Sequence, residues 1–237
     1  MEPSNALSDD EYDVISNPGN ISLEANLADF CSCDTREPPA SENARNRFET
    51  TGWTAREVQL YVQKSLDTNA NADPQRLGKK RVRVYVDGAF DLFDVGTALK
   101  LRQAKLSFPH VHLVVGVFSD KTLQQYECLP PQPEVERIEL IRHCRWTDEV
   151  LEDAPWELSL QFLKDRAIDF VAIDEGASID PSIHKARVVA FDELKRQGKI
   201  IKTRRTLGLA KQQLPSLQSA SSSQQSTPIL ANKDPGF

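Results

Sequence analysis

The sequence predicts an α/β fold, a parallel sheet with helices on both faces, carried between two tails without structure. Three observations support this. From Lys79 onward, short β-rich runs alternate with helical runs of about ten residues, the signature of parallel strands joined by crossover helices. "VHLVVGVFSD" is almost continuously apolar, as a strand covered on both faces must be. Charge also changes along the chain. Residues 1–78 hold 14 Asp/Glu and 6 Lys/Arg, a balance of −8, while the remainder holds 21 and 23, a balance of +2.

Taken in order, residues 1–52 are rich in Ser, Asn, Asp, Glu and Pro, show no sustained period, and are expected to lack structure. Residues 53–78 comprise a short helix and a linker. In "TAREVQLYVQKSL", Thr54 and Glu57 have capping-box spacing, and Val58, Tyr61, Val62 and Leu66 share one helical face. That face predicts docking on the main domain or on a partner. "DTNANADPQRLG" is the linker.

Residues 79–211 form the predicted domain. "RVRVYVDG", "VHLVVGVFSD", "TDEVLED", "IDFVAID" and "KIIKT" read as strands. "ALKLRQAKLSF", "PEVERIELIRHC", "ELSLQFLKDRA" and "IHKARVVAFDELKRQG" read as helices; Pro133 is placed to start the second and Gly198 to end the last. Lys100 and Arg102 read as a solvated helix face. Residues 212–237, Ser/Gln-rich with prolines, form the second tail.

Composition excludes several classes. No clustered basic face marks a nucleic-acid binder. The cysteines Cys31, Cys33, Cys128 and Cys144 offer no C-x-x-C pair, so no structural or redox metal site is expected. No apolar run reaches the roughly 18 residues of a membrane helix, and the N-terminus lacks the basic and apolar regions of a signal peptide. A soluble protein, cytoplasmic with a nuclear location left open, is expected.

In such folds ligands bind at the carboxyl ends of the strands, where strand order reverses. "FDLFDVGTALKLRQAK" is the turn out of the first strand into a helix, a place suited to phosphate, yet it carries Asp94 and Thr97 where nitrogen donors are expected. Residues 54–211, and above all "DGAFDLF", "HCRWTDEV" and "DAPWELS", resemble the CTP:phosphocholine cytidylyltransferase family, the fungal forms most. The resemblance implies a Rossmann-like nucleotidyltransferase fold, usually dimeric. It also implies CMP transfer from CTP to phosphocholine in phosphatidylcholine synthesis, by in-line positioning and charge stabilisation; for this chain no cofactor is expected, with CTP and magnesium bound only if it is active.

The parts that perform this work in the family have changed here. The family's H-x-G-H is Asp94, Val95, Gly96, Thr97; only the glycine is kept, and Thr97 reads foremost as the helix N-cap, with a hydroxyl toward phosphate as the alternative. The family's loop lysine is Glu127, in "YEC". The family's R-T-E-G-I-S-T is Arg205, Thr206, Leu207, Gly208, Leu209, Ala210, Lys211; Arg205, Thr206, Gly208 and Lys211 are the nucleotide-binding candidates beside Gly96, with Arg205 reading equally as a solvated residue. For choline, Trp156 and Asp174 match the family's tryptophan and aspartate, but the expected tyrosine falls in "GASID", which has no aromatic residue. Trp156 reads as well as a core residue. Asp87 and Asp91 keep the family pattern. After the last motif "QQLPSLQSASSS" is interrupted by Pro215, so no amphipathic lipid-sensing helix is expected.

These departures predict a catalytically impaired relative, a pseudoenzyme with a binding or regulatory role, as a homodimer or paired with an active cytidylyltransferase. The alternative is an active transferase of CMP to phosphocholine or a related phosphoalcohol.

Overall fold

A computed structural model describes residues 37–67, 81–128, 130–175 and 185–210. Most of the expected N-terminal tail with Cys31 and Cys33, the linker after residue 67, "GASID", Lys211 and the C-terminal tail lie outside the described residues.

The elements are α1 (Glu42–Arg47), a 3₁₀ turn (Glu49–Gly52), α2 (Ala55–Asp67), β1 (Val82–Gly88), α3 (Val95–Leu106), β2 (Val111–Val117), α4 (Asp120–Gln125), α5 (Glu134–Arg142), β3 (Glu149–Leu151), α6 (Leu160–Asp165), β4 (Phe170–Asp174), α7 (Lys185–Arg196) and β5 (Ile200–Thr203). The five strands form one sheet in the order β3-β2-β1-β4-β5. Every pairing is parallel, with Val84 opposite both Leu113 and Phe170, and Ala172 opposite Ile201. The chain runs outward through β2 and β3, then returns to the other side of β1. Strand order therefore reverses between β1 and β4, and their carboxyl ends open a crevice.

Alternation along the strands supplies both faces. Val82, Val84 and Val86 of β1 face one core with Val58, Val62 and Leu66 of α2, Leu101 of α3 and Ile141 of α5. Tyr85 faces the other, with Leu163 of α6 and Leu194 of α7. The apolar face of α2 is thus docked on the sheet domain. The capping box forms as its spacing predicts: Thr54 N donates to Glu57 Oε2 at 2.7 Å and Glu57 N to Thr54 Oγ1 at 3.3 Å. Gly198, at φ 65°, ends α7 in the left-handed conformation that glycine adopts without a Cβ penalty.

The structure corrects two expectations. Residues 37–52, expected to lack structure, pack as a strap across the domain. Ser41 caps α1 through its side chain, and no residue of α1 is buried, so no apolar period announces it. Long-range bonds hold the strap: Arg47 Nε donates to Gly208 O at 3.1 Å, and the hydroxyls of Thr50 and Thr206 are 3.1 Å apart and buried. Arg102 is not on a solvated face. It is 6% exposed, with Nε bonded to the Glu37 carboxylate and a terminal nitrogen to the Trp53 carbonyl. The strap supplies the acid that lets a guanidinium be buried.

Candidate functional site

The crevice between β1 and β4 contains a cavity of about 400 Å³. Asp87 ends β1, Asp91 and Asp94 follow in the loop, Asp174 ends β4, and Lys100 and Arg205 bring the cations, so four carboxylates face two cations across it. Asp87 Oδ2 and Asp91 Oδ1 are buried without a hydrogen-bond partner among the described residues. The loop from β1 to α3 is bent tightly, with Phe90 at φ 54° and Leu92 at φ 47°, both left-handed positions unusual for such side chains. Arg137 of α5, wholly buried, braces it: the guanidinium donates to the carbonyls of Ala89 (2.6 Å), Phe118 (2.9 Å) and Gln132 (3.1 Å) and to Asp120 Oδ1 at 2.6 Å.

The start of α3 corrects the reading of Thr97. The N-cap is Asp94; its Oδ1 accepts the Thr97 backbone N–H at 2.8 Å and the Thr97 hydroxyl at 2.9 Å. Thr97 is the third helical residue and donates to the cap. One oxygen of an internal carboxylate thus takes a free amide of the helix start and sits at the positive end of the helix dipole. Gly96 is in the first turn, and Leu209 lies directly on it: a Cβ there would meet Leu209 Cδ1 at 2.7 Å.

Of the third motif, Arg205 is exposed and lines the cavity, while its neighbour Arg204 is committed to Glu175 at 2.9 Å. Burial, then the Glu175 carboxylate, pushes the Tyr61 phenol up to about 12, so α2, β4 and the chain after β5 are joined at one point. Thr206 is buried against Thr50 and also lines the cavity. Gly208, at φ 83°, lies so close to the strap that a Cβ would stand 2.4 Å from the Arg47 carbonyl oxygen. Glu127 is not among the cavity's lining residues; it sits exposed in the turn after α4 at φ 56°.

Asp174 and Trp156 stand in different surroundings. Asp174 lines the crevice and accepts the Thr203 hydroxyl at 2.6 Å. Trp156 is half-buried in an aromatic group, with its ring stacked on Tyr126 at 4.2 Å and tilted against Phe118 at 4.9 Å. Tyr126, Phe118, Phe191 and Arg187 escaped sequence reasoning. Tyr126 immediately precedes Glu127, which the charge comparison singled out instead. Among the described residues no three His, Cys, Asp or Glu side chains group to hold a metal ion. No helix among them is long and apolar enough to cross a membrane.

The family model for cytidylyltransferase-like proteins matches residues 85–226. The chain is 43% identical over 129 residues to the probable choline-phosphate cytidylyltransferase of Schizosaccharomyces pombe, 54% of this chain and 34% of that protein. It is 43% identical to choline-phosphate cytidylyltransferase 2 of Arabidopsis thaliana over 129 residues, covering 54% of this chain and 42% of the relative. It is 37% identical to choline-phosphate cytidylyltransferase A of Homo sapiens over 150 residues, 63% of this chain and 39% of the human protein. The matched segment thus spans well under half of each of these relatives. The sheet, the crevice at the strand reversal and the matched span agree, and the chain belongs to the cytidylyltransferase-like family.

Proposed function

We propose that this chain is a cytidylyltransferase-like protein of the phosphatidylcholine pathway in which nucleotidyl transfer is impaired, and that it acts by binding, as a cytoplasmic pseudoenzyme paired with itself or with an active relative. The observation that carries the reading is the cap of α3. Transfer of CMP from CTP needs donors aimed at the charge that develops on the phosphates, and losing one such donor typically lowers rate by about 10²–10³. Here the helix start offers phosphate a carboxylate, Asp94, already bonded to Thr97. A carboxylate about 4 Å from a phosphate charge opposes binding by roughly 1–4 kcal/mol.

A second reading is supported by Lys100 and Arg205, which line the cavity and have no carboxylate partner among the described residues. They favour an anion, and with them the transferase reading keeps a foothold for CTP. One experiment separates the two. Purified protein is incubated with labelled CTP, phosphocholine and Mg²⁺ beside an active relative. The first reading expects no CDP-choline above a blank. Product that scales with protein and vanishes in Arg205→Ala supports the second.

A further inference from the structure

At the far end of the crevice the protein holds a cation of its own. Arg187, on α7, places its guanidinium carbon 5.0 Å from the ring centroids of Phe118 and Trp156 and 4.9 Å from that of Phe191. One terminal nitrogen donates to Asp87 Oδ1 at 2.6 Å and the other to the Trp156 carbonyl. The Arg187 and Asp87 side chains are only 10% and 8% exposed. Aromatic rings within about 6 Å of a cation, closed by a carboxylate, form the arrangement that recognises alkylammonium ions. A guanidinium tethered to α7 competes with any such ion from within the same molecule, at an effective concentration no free ligand matches at ordinary levels.

We infer that Arg187 is the built-in occupant of a cation cage made by Phe118, Trp156, Phe191 and Asp87, and that removing its head group turns the cage into a site for small alkylammonium ions. Arg187 is then the residue that sets the specificity of this end of the crevice, by exclusion. The inference deepens the proposed function, because it concerns the alcohol end of the same crevice, but it stands on different residues from the Asp94 cap.

The test is titration of tetramethylammonium into the full chain, as wild type, Arg187→Ala and Arg187→Ala/Trp156→Ala, at constant ionic strength. Arg187→Ala is expected to bind at least about tenfold more tightly than wild type, and Trp156→Ala to remove the gain. Equal binding by wild type and Arg187→Ala, or binding by neither, overturns the inference. Should Arg187→Ala not fold, Arg187→Gln replaces it. Should both fail, recovery of fold in tetramethylammonium chloride but not in equimolar sodium chloride supports the cage, and no recovery overturns it. The probe carries no phosphate, so the result is independent of CTP chemistry. A wild type that makes CDP-choline yet ignores tetramethylammonium sinks the proposed function alone. One that binds tetramethylammonium as tightly as Arg187→Ala does, without making product, sinks this inference alone.

Discussion

Thr50 and Thr206 share a buried hydroxyl–hydroxyl hydrogen bond of 3.1 Å between positions 156 residues apart. It joins the N-terminal strap to the loop that borders the crevice. Thr50→Val leaves the Thr206 hydroxyl without this partner and is expected to cost about 1–3 kcal/mol, whereas Thr50→Val/Thr206→Val removes both polar groups and recovers part of the loss. Urea unfolding of the two single variants and the double checks this. Additive losses would show that the hydroxyls do not act as a pair.

Asp94 caps α3, and the proposed function has it oppose a bound nucleotide. Asp94→Ala removes the cap of α3 and is expected to cost about 0.5–2 kcal/mol, while Asp94→Asn still caps and stays within a few tenths of wild type. Asn also removes a negative charge from the crevice, and CTP affinity is expected to rise at least about fivefold. Calorimetric titration with CTP reads the second effect; unchanged affinity would mean that the triphosphate does not approach this helix start.

Two glycines near the crevice should respond differently to alanine. Gly208→Ala forces a Cβ onto a residue at φ 83° and to within 2.4 Å of the Arg47 carbonyl oxygen, which is backbone and cannot swing aside. A loss of about 1–3 kcal/mol is expected. Gly96→Ala meets the tip of the Leu209 side chain at 2.7 Å and Asp94 Oδ1 at 3.4 Å, side-chain atoms and not backbone, and gains up to about 1 kcal/mol of helix propensity. Its melting temperature should stay close to that of wild type, and that of Gly208→Ala should fall.

The pH dependence should show Asp120. The Glu134 backbone N–H, and after it the Arg137 guanidinium, hold the Asp120 carboxyl below its ordinary value of 3.8. A carboxylate with a lowered folded pKa contributes stability above its unfolded value, and the contribution disappears as pH falls through the folded one. Thermal unfolding between pH 6 and 3 is therefore expected to decline less steeply in Asp120→Asn. A decline identical to wild type would remove Asp120 as a contributor.

The sheet was legible because its strands announce themselves locally, "VHLVVGVFSD" by continuous apolar residues and "RVRVYVDG" by β-rich composition ending in glycine. The strap was not, since α1 buries nothing and its fixing bonds run from Arg47 to Gly208 and from Thr50 to Thr206, distances no local pattern encodes. The cap expected at Thr97 is made by Asp94, three residues earlier, so Thr97 is the donor and Asp94 the acceptor. Arg187 was hidden for a different reason. Its helix shows an ordinary mixture of charged and apolar residues, and only the fold brings Phe118, Trp156 and Asp87 around its head group. Arg102 escaped likewise, because its burial depends on Glu37.

The strap also sets a schedule for synthesis on the ribosome. Thr50 is made 156 residues before Thr206, which at 5–20 residues per second is a wait of roughly 8–30 s. During that interval α2 and the first strands can already meet, whereas Arg47 and Thr50 have nothing to hold. The rim of the crevice is therefore latched only after β5, the last strand, has been made, because Thr206 and Gly208 follow it in the chain.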